Sequence, residues 1–174
     1  MVHSVEVLFD AATEATVRGL WDGLAAAGLP SQAGHTAPSN RPHVTLTVAE
    51  VIEPAVDAAL VPLLERLPLP CVIGAPLLFG GRRTVTLVRL VVPSAELLEL
   101  HAQTQRLCLP YMPNGPLPHT DSGRWTPHVT LARRLPPDRL AEAMSVPDVN
   151  RDMDARITGL RHWDGNAKVE HWIS

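Results

Sequence analysis

The sequence predicts an α+β fold built twice: two lobes of antiparallel-rich sheet with outer helices, related by a pseudo-twofold axis around a central cleft. Three observations lead there. The pentapeptide Pro-His-Val-Thr-Leu stands at 42–46 and again at 127–131, an offset of 85. Glycines repeat in the same register, Gly74 with Gly159 and Gly80 with Gly165. Short apolar runs alternate with stretches of helical period in the order βαβαβ, then βαβαβ, with a middle strand open to sharing between the halves.

The elements follow in order. Val5 to Phe9 reads as a strand, and Thr13 to Ala27 as a helix with Val17, Leu20, Trp21 and Leu24 on one side, ended by Gly28-Leu29-Pro30. After a polar loop the first pentapeptide lies in a strand from Arg41 to Ala49. The helical pattern beginning at Pro54 must divide at Pro62, which has no backbone donor. Cys71 to Phe79 and Thr84 to Val92 form a hairpin across Gly80-Gly81-Arg82-Arg83. Ser94 caps a helix reaching Cys108. A loop rich in Pro and Gly leads to a strand from Arg124 to Arg133, a short helix over Pro136 to Met144, and a closing hairpin of Ala155 to Trp163 with Lys168 to Ile173.

The 174 residues suit one domain, with lobes of about 1–85 and 86–174 and strand exchange between them left open. An apolar share of 45% against 19% charged is that of a globular protein and excludes a disordered chain. A net charge of −3 gives no field for wrapping along RNA or DNA, but leaves room for a nucleotide or an RNA end in a local basic patch. The N-terminus lacks the features of a secretory signal, and no apolar run approaches the roughly 20 residues of a membrane span. Cys71 and Cys108, far apart in apolar surroundings, read as buried thiols of a reducing compartment. A cytoplasmic monomer is expected, with no membrane partner.

In a strand the side chains alternate between faces. His43 and Thr45 therefore share one face, and Val44 and Leu46 the other; His128 and Thr130 oppose Val129 and Leu131 in the same way. Packing accounts for the aliphatic faces but not for a repeated imidazole and hydroxyl. A second copy of the pentapeptide has a chance expectation on the order of one in a thousand from this composition. If a twofold axis relates the strands, the polar faces meet across one cleft. There one imidazole can take a proton from an attacking oxygen while the other protonates the leaving oxygen, since a pKa of about 6.5 lets both forms coexist near neutrality. The hydroxyls of Thr45 and Thr130 can donate to non-bridging phosphate oxygens. Such chemistry needs no metal and no cofactor, and no zinc-ligand spacing is evident among the remaining histidines.

Two His-x-Thr motifs on a duplicated α/β chain resemble the two-histidine (2H) phosphoesterase superfamily. Trp125-Thr126-Pro127-His128-Val129-Thr130-Leu131-Ala132-Arg133 looks like the second motif of its 2′-5′ RNA ligase and cyclic phosphodiesterase branch. After the first motif stands Thr47-Val48-Ala49-Glu50, where many RNA-ligase-like members continue with Arg-Phe-Leu-Gly. The resemblance implies a bilobal fold, His43 and His128 as acid and base, and Thr45 and Thr130 on the phosphate. It implies an enzyme acting on a 2′,3′-cyclic phosphate or a 2′-5′ phosphodiester of an RNA end or small nucleotide; hydrolysis is favoured over ligation because water is abundant and the sequence shows no extended basic surface for two RNA ends. An ADP-ribose cyclic phosphate substrate and a nucleotide-binding module without turnover are the alternatives.

Arginines and aromatics form a second tier. Arg41 falls on the His43 face by parity, whereas strict alternation turns Arg133 away from His128 unless the strand twists or ends there. Trp125 and Tyr111 can stack on a base. His35 and His119 lie in loops, and His101 on the helix after Ser94; all three read as structural.

Overall fold

The computed structural model describes residues 2–174. Its elements are β1 (His3–Phe9), α1 (Ala11–Ala26), β2 (His43–Ala49), α2 (Val56–Leu60), β3 (Leu69–Gly80), β4 (Val85–Val91), α3 (Ala95–Cys108), β5 (His128–Leu135), α4 (Leu140–Met144), β6 (Met153–Asp164) and β7 (Val169–Trp172). Four helices thus accompany seven strands, every pair of which is antiparallel. The fold is α+β, as expected. No described helix is long and apolar enough to cross a membrane.

Local chemistry explains the boundaries. Asp10 accepts the backbone N–H of Thr13 and starts α1, and Ser94 accepts that of Leu97 and starts α3. Pro62 divides its helix as expected, the chain continuing as a 3₁₀ segment over Val61–Arg66. Two expectations need correction. The strands carrying the motifs begin at the histidines, not at Arg41 and Arg124. Residues 136–144 form a 3₁₀ turn followed by only five α-helical residues.

The strand order is β2-β1-β6-β3-β4-β5, with β7 also against β6. The third strand of each half has crossed over: β6 lies against β1 of the first half, and β3 against β4 of the second. At the centre Leu69 pairs with Ile157 and Val72 with Asp154. An 85-residue shift exchanges these two pairs, so the pseudo-twofold axis passes between Pro70–Arg156 and Cys71–Ala155. Gly165 is required at its turn, because a Cβ there would collide with the carbonyl oxygen of Val2.

The inner face of the sheet holds the core. Val44, Leu46, Val129 and Leu131 are fully buried there with Val17, Leu24, Leu97 and Leu100 from α1 and α3, each worth about 1.5–3 kcal/mol of transfer free energy. β2 and β5 are the outermost strands of the sheet, yet they come into contact with each other. Their free-edge carbonyls are capped by side chains: the Trp21 indole donates to the Thr130 carbonyl (3.0 Å), and the Trp125 indole to that of Thr45 (2.9 Å). A fully buried Arg89 sits behind β5. Its guanidinium donates to the carbonyls of Ile73, Gly74, Asp148, Val149 and Arg151, tying an irregularity of β3 to the loop before β6.

Candidate active site

Each motif histidine is anchored from its own backbone. Nδ1 of His43 lies 2.6 Å from the Arg41 carbonyl oxygen, and Nδ1 of His128 lies 2.7 Å from that of Thr126. A carbonyl only accepts, so in both rings Nδ1 carries the hydrogen and Nε2 is left as the working nitrogen. The bond is made to the residue two before the histidine in each motif, a consequence of the strand beginning at that histidine. All four motif side chains are half-buried, between the closed core face and solvent.

Two cavities meet at this face. One of about 430 Å³ is lined by His43, Thr45, Val48, Glu6, Arg161 and Arg133 among others. The second, of about 740 Å³, is lined by His128, Thr45, Val48, Phe79, Trp125 and Arg124 among others. Thr45 and Val48 belong to both. His43 thus shares a wall with the far end of β5, and His128 with the far end of β2, as expected for strands related by a twofold axis.

A β-bulge directly follows the threonine of each motif. Leu46 has no partner on β1, whose Glu6 pairs with Thr45 and Val5 with Thr47; Leu131 is likewise skipped between Thr130 and Ala132. Two successive residues therefore face the core in each strand, and the alternation restarts one residue late. This brings Val48 and Arg133 onto the histidine face, where parity alone turns Arg133 away.

The two halves of the cleft differ in chemistry. The residue paired with Thr45 is Glu6, and its neighbour across the sheet is Arg161; the residue paired with Thr130 is Val88, and its neighbour is Leu77. Glu6 and Arg161 form a buried ion pair (Nη2 to Oε2, 2.7 Å), and Ser4 donates to the other carboxylate oxygen at 2.6 Å. Burial works to raise the Glu6 carboxyl, but the charges of His43 and Arg161 and the hydrogen bonds from Ser4 and Arg161 hold it below the usual carboxylate range. That oxygen, Oε1, lies 3.7 Å from Nε2 of His43. On the other side Phe79 meets the His128 ring edge to face at 4.8 Å. Burial pushes His128 below the ordinary histidine range, and the nearby charges of His43 and Arg133 push it further, against the bond to Thr126. The balance favours the neutral ring of His128.

Residues 10–168 match the family model of the 2′-5′ RNA ligase superfamily. The chain belongs to this superfamily. The fold is similar to several solved structures. TT0787 of Thermus thermophilus is 16% identical with a TM-score of 0.62, over 100% of this chain and 96% of that one. Usb1 of Kluyveromyces marxianus is 11% identical with a TM-score of 0.56, over 99% and 97%. LigT of E. coli is 17% identical with a TM-score of 0.55, over 98% and 92%. Usb1 has been solved with uridine monophosphate and LigT with 3′-AMP. A sequence comparison with curated proteins gave no match.

Within this superfamily member the second tier of expected residues divides. Arg133 and Trp125 line the cleft. Trp125 stacks one face on His101 at 4.0 Å. Arg41 contributes only its carbonyl: its guanidinium is held by Glu14 of α1 and lies over Trp172, because β2 starts after it and parity does not apply. Tyr111 lies in a 3₁₀ turn after α3, packed against the core and absent from the lining of either cavity. His101 is buried beside the Thr120 carbonyl, a structural role as expected. His35 and His119, expected to be structural, instead line the two cavities. The signal was there, since they stand eight and nine residues before the motif histidines in corresponding loops. Glu6, Arg161 and Phe79 were also not foreseen.

Proposed function

We propose that the protein is a metal-independent phosphodiesterase acting on a 2′,3′-cyclic phosphate or 2′-5′ phosphodiester bond of an RNA end or small nucleotide. The observation that carries this reading is the pair of Nδ1-anchored histidines, each beside a threonine, on two strands that share one cleft. Nucleoside monophosphates bound by LigT and Usb1 are the products such a reaction would leave, which supports the same class of substrate.

The roles divide with the asymmetry of the cleft. Neutral His128 takes the proton of the attacking water through Nε2 as the water oxygen bonds to phosphorus. His43, whose Nε2 faces the Glu6 carboxylate, acts as the acid and gives an Nε2 proton to the ribose oxygen as that oxygen leaves. The hydroxyls of Thr45 and Thr130 donate to the non-bridging oxygens, where charge accumulates. His43 ends neutral and His128 protonated, and exchange with solvent resets the pair.

Product analysis with a panel of nucleoside 2′,3′-cyclic phosphates tests the reading. Hydrolysis to a single monophosphate isomer is expected, and the isomer tells which ribose oxygen His43 protonates. Tight nucleotide binding with no turnover of any member would make the protein a binding module instead.

A further inference from the structure

Beyond the paired motifs, β5 has a second irregularity with no counterpart in β2. Leu87 of β4 pairs with Ala132 and Val85 with Leu135, so Arg133 and Arg134 together face the single residue Thr86. In β2 the corresponding stretch is regular, with Val48 opposite Ser4 and Ala49 opposite His3. Arg134 takes a φ of +57° to make this bulge. That left-handed conformation is strained for a non-glycine residue, and bulges beside active sites re-aim side chains. Strain of this kind is retained where the surroundings use it.

The bulge delivers two arginines to a groove of about 500 Å³, lined by Pro30, Ser31, Gln32, His35, Arg133 and Arg134. His35 and Arg133 also line the His43 half of the cleft, so the groove continues it. Among the described residues, no acidic side chain lines the groove. This sets the two arginines apart from Arg41, which Glu14 holds, and from Arg161, which Glu6 and Glu170 hold. In a protein of net charge −3, three basic side chains around an opening without a carboxylate make a local site for an anion.

We propose that Arg133, Arg134 and His35 bind a second phosphate of the substrate, beyond the one placed between His43 and His128. The inference rests on the nucleotide reading of the cleft and narrows it. The preferred ligand is a nucleotide with at least two phosphate groups, its ring system on the Phe79 and Trp125 side and its second phosphate on the Arg133 side. Guanidinium forks suit phosphate oxygens, whereas the His128 half, with Val48 and Phe79, has the apolar surface a base requires. The second phosphate is either the terminal group of a mononucleotide or the next phosphodiester of a strand.

Calorimetric titration of the full chain with adenosine 3′-phosphate, adenosine 3′,5′-bisphosphate and the dinucleotide ApAp tests this. The bisphosphate is expected to bind about tenfold more tightly than the monophosphate at low salt, an advantage that shrinks as salt is raised. An equal gain with ApAp points to a strand, and a gain confined to the bisphosphate points to a terminal phosphate. Arg134→Gly relieves the backbone and is expected to keep or raise the melting temperature while pulling the tenfold ratio towards one. Arg133→Ala should do the same to the ratio, and Arg106→Ala on the far helix should leave it alone. Equal affinities for monophosphate and bisphosphate, or a ratio that survives both Arg133→Ala and Arg134→Gly, would overturn the second site alone. If no nucleotide binds, the nucleotide reading of the cleft falls, and this inference falls with it.

Discussion

The carboxylate of Glu6 stands 3.7 Å from Nε2 of His43, and the position that pairs with Thr130 in the other half is taken by Val88. A cleft built from two like halves thus has one charged and one apolar side. Glu6→Gln keeps the shape and removes the charge that faces the ring. Turnover of an alkyl-linked cyclic phosphate is expected to fall about tenfold, less than the roughly 10²–10⁴-fold of losing the general acid itself. Glu6→Asp should recover part of the rate. An unchanged rate in Glu6→Gln would mean that Glu6 serves Arg161 alone.

The two histidines should separate by leaving group. His43→Ala and His128→Ala are each expected to lose about 10²–10⁴-fold on a nucleoside 2′,3′-cyclic phosphate. The double variant should lose less than the product, because the pair acts as a unit. A nitrophenyl leaving group needs no proton, so on a 2′-deoxynucleoside 3′-nitrophenyl phosphate, which only water can attack, His43→Ala should recover most of its activity and His128→Ala should not. Rescue in the opposite variant would reverse the assignment. Thr45→Val or Thr130→Val should cost less than either histidine change, as other donors compensate in part.

Exhaustive chelation should leave the rate unchanged, because the imidazoles move the protons a metal-bound water would otherwise supply. Activity lost to chelator and restored by one divalent ion would require a different mechanism.

Acid should weaken the fold before it protonates most carboxylates. His101, His128 and His162 all lie below the ordinary histidine value in the folded protein, in each case chiefly through burial. In the unfolded chain they titrate near 6.5. Below that pH the unfolded state therefore binds more protons than the folded one, and stability falls as pH is lowered towards the folded-state values. The Asp57 carboxylate, 2.9 Å from Nδ1 of His162, opposes this shift without cancelling it. Denaturant titrations should show unfolding free energy declining from about pH 7.5 to about 5.5, the interval around the unfolded value. A flat curve over that interval would contradict the burial of these rings.

Arg89→Met should destabilise the protein by about 3 kcal/mol or more, since it strands three buried and two partly buried carbonyls, and each buried one costs about 1–3 kcal/mol before relaxation. Equilibrium unfolding measures it directly, and a loss below about 1 kcal/mol would show that the loop before β6 re-forms around water.

The motifs announced themselves because His43, Thr45, His128 and Thr130 alternate with aliphatics over strands that the 85-residue register duplicates. The helices with clean caps, Asp10 and Ser94, were legible for the same local reason. Glu6 was within reach: Ser4 and Glu6 alternate with Val5 and Val7, a polar face on a strand otherwise committed to the core. Its partner was not, since Arg161 lies 155 residues away and only pairing of β1 with β6 joins them. Parity alone turns Arg133 away from the cleft that it lines, because a bulge leaves no mark in residue types. Parity does not reach Arg41, since it holds only inside a strand and this one starts two residues later. The ring of Tyr111 suits stacking, but its place after α3 packs it against the core.

The crossing of β3 and β6 between the halves has a consequence for how the chain acquires its site. The wall beside His43 consists of β1 and β6, so the first motif is synthesised more than a hundred residues before the strand that completes it. A ribosome-bound chain ending at β5 carries both histidines and both threonines, but Glu6 has no Arg161 and β1 has an open edge. Pairings of such long sequence separation close late and slowly. In this protein β6 is the latch, and the cleft comes into being only when it shuts.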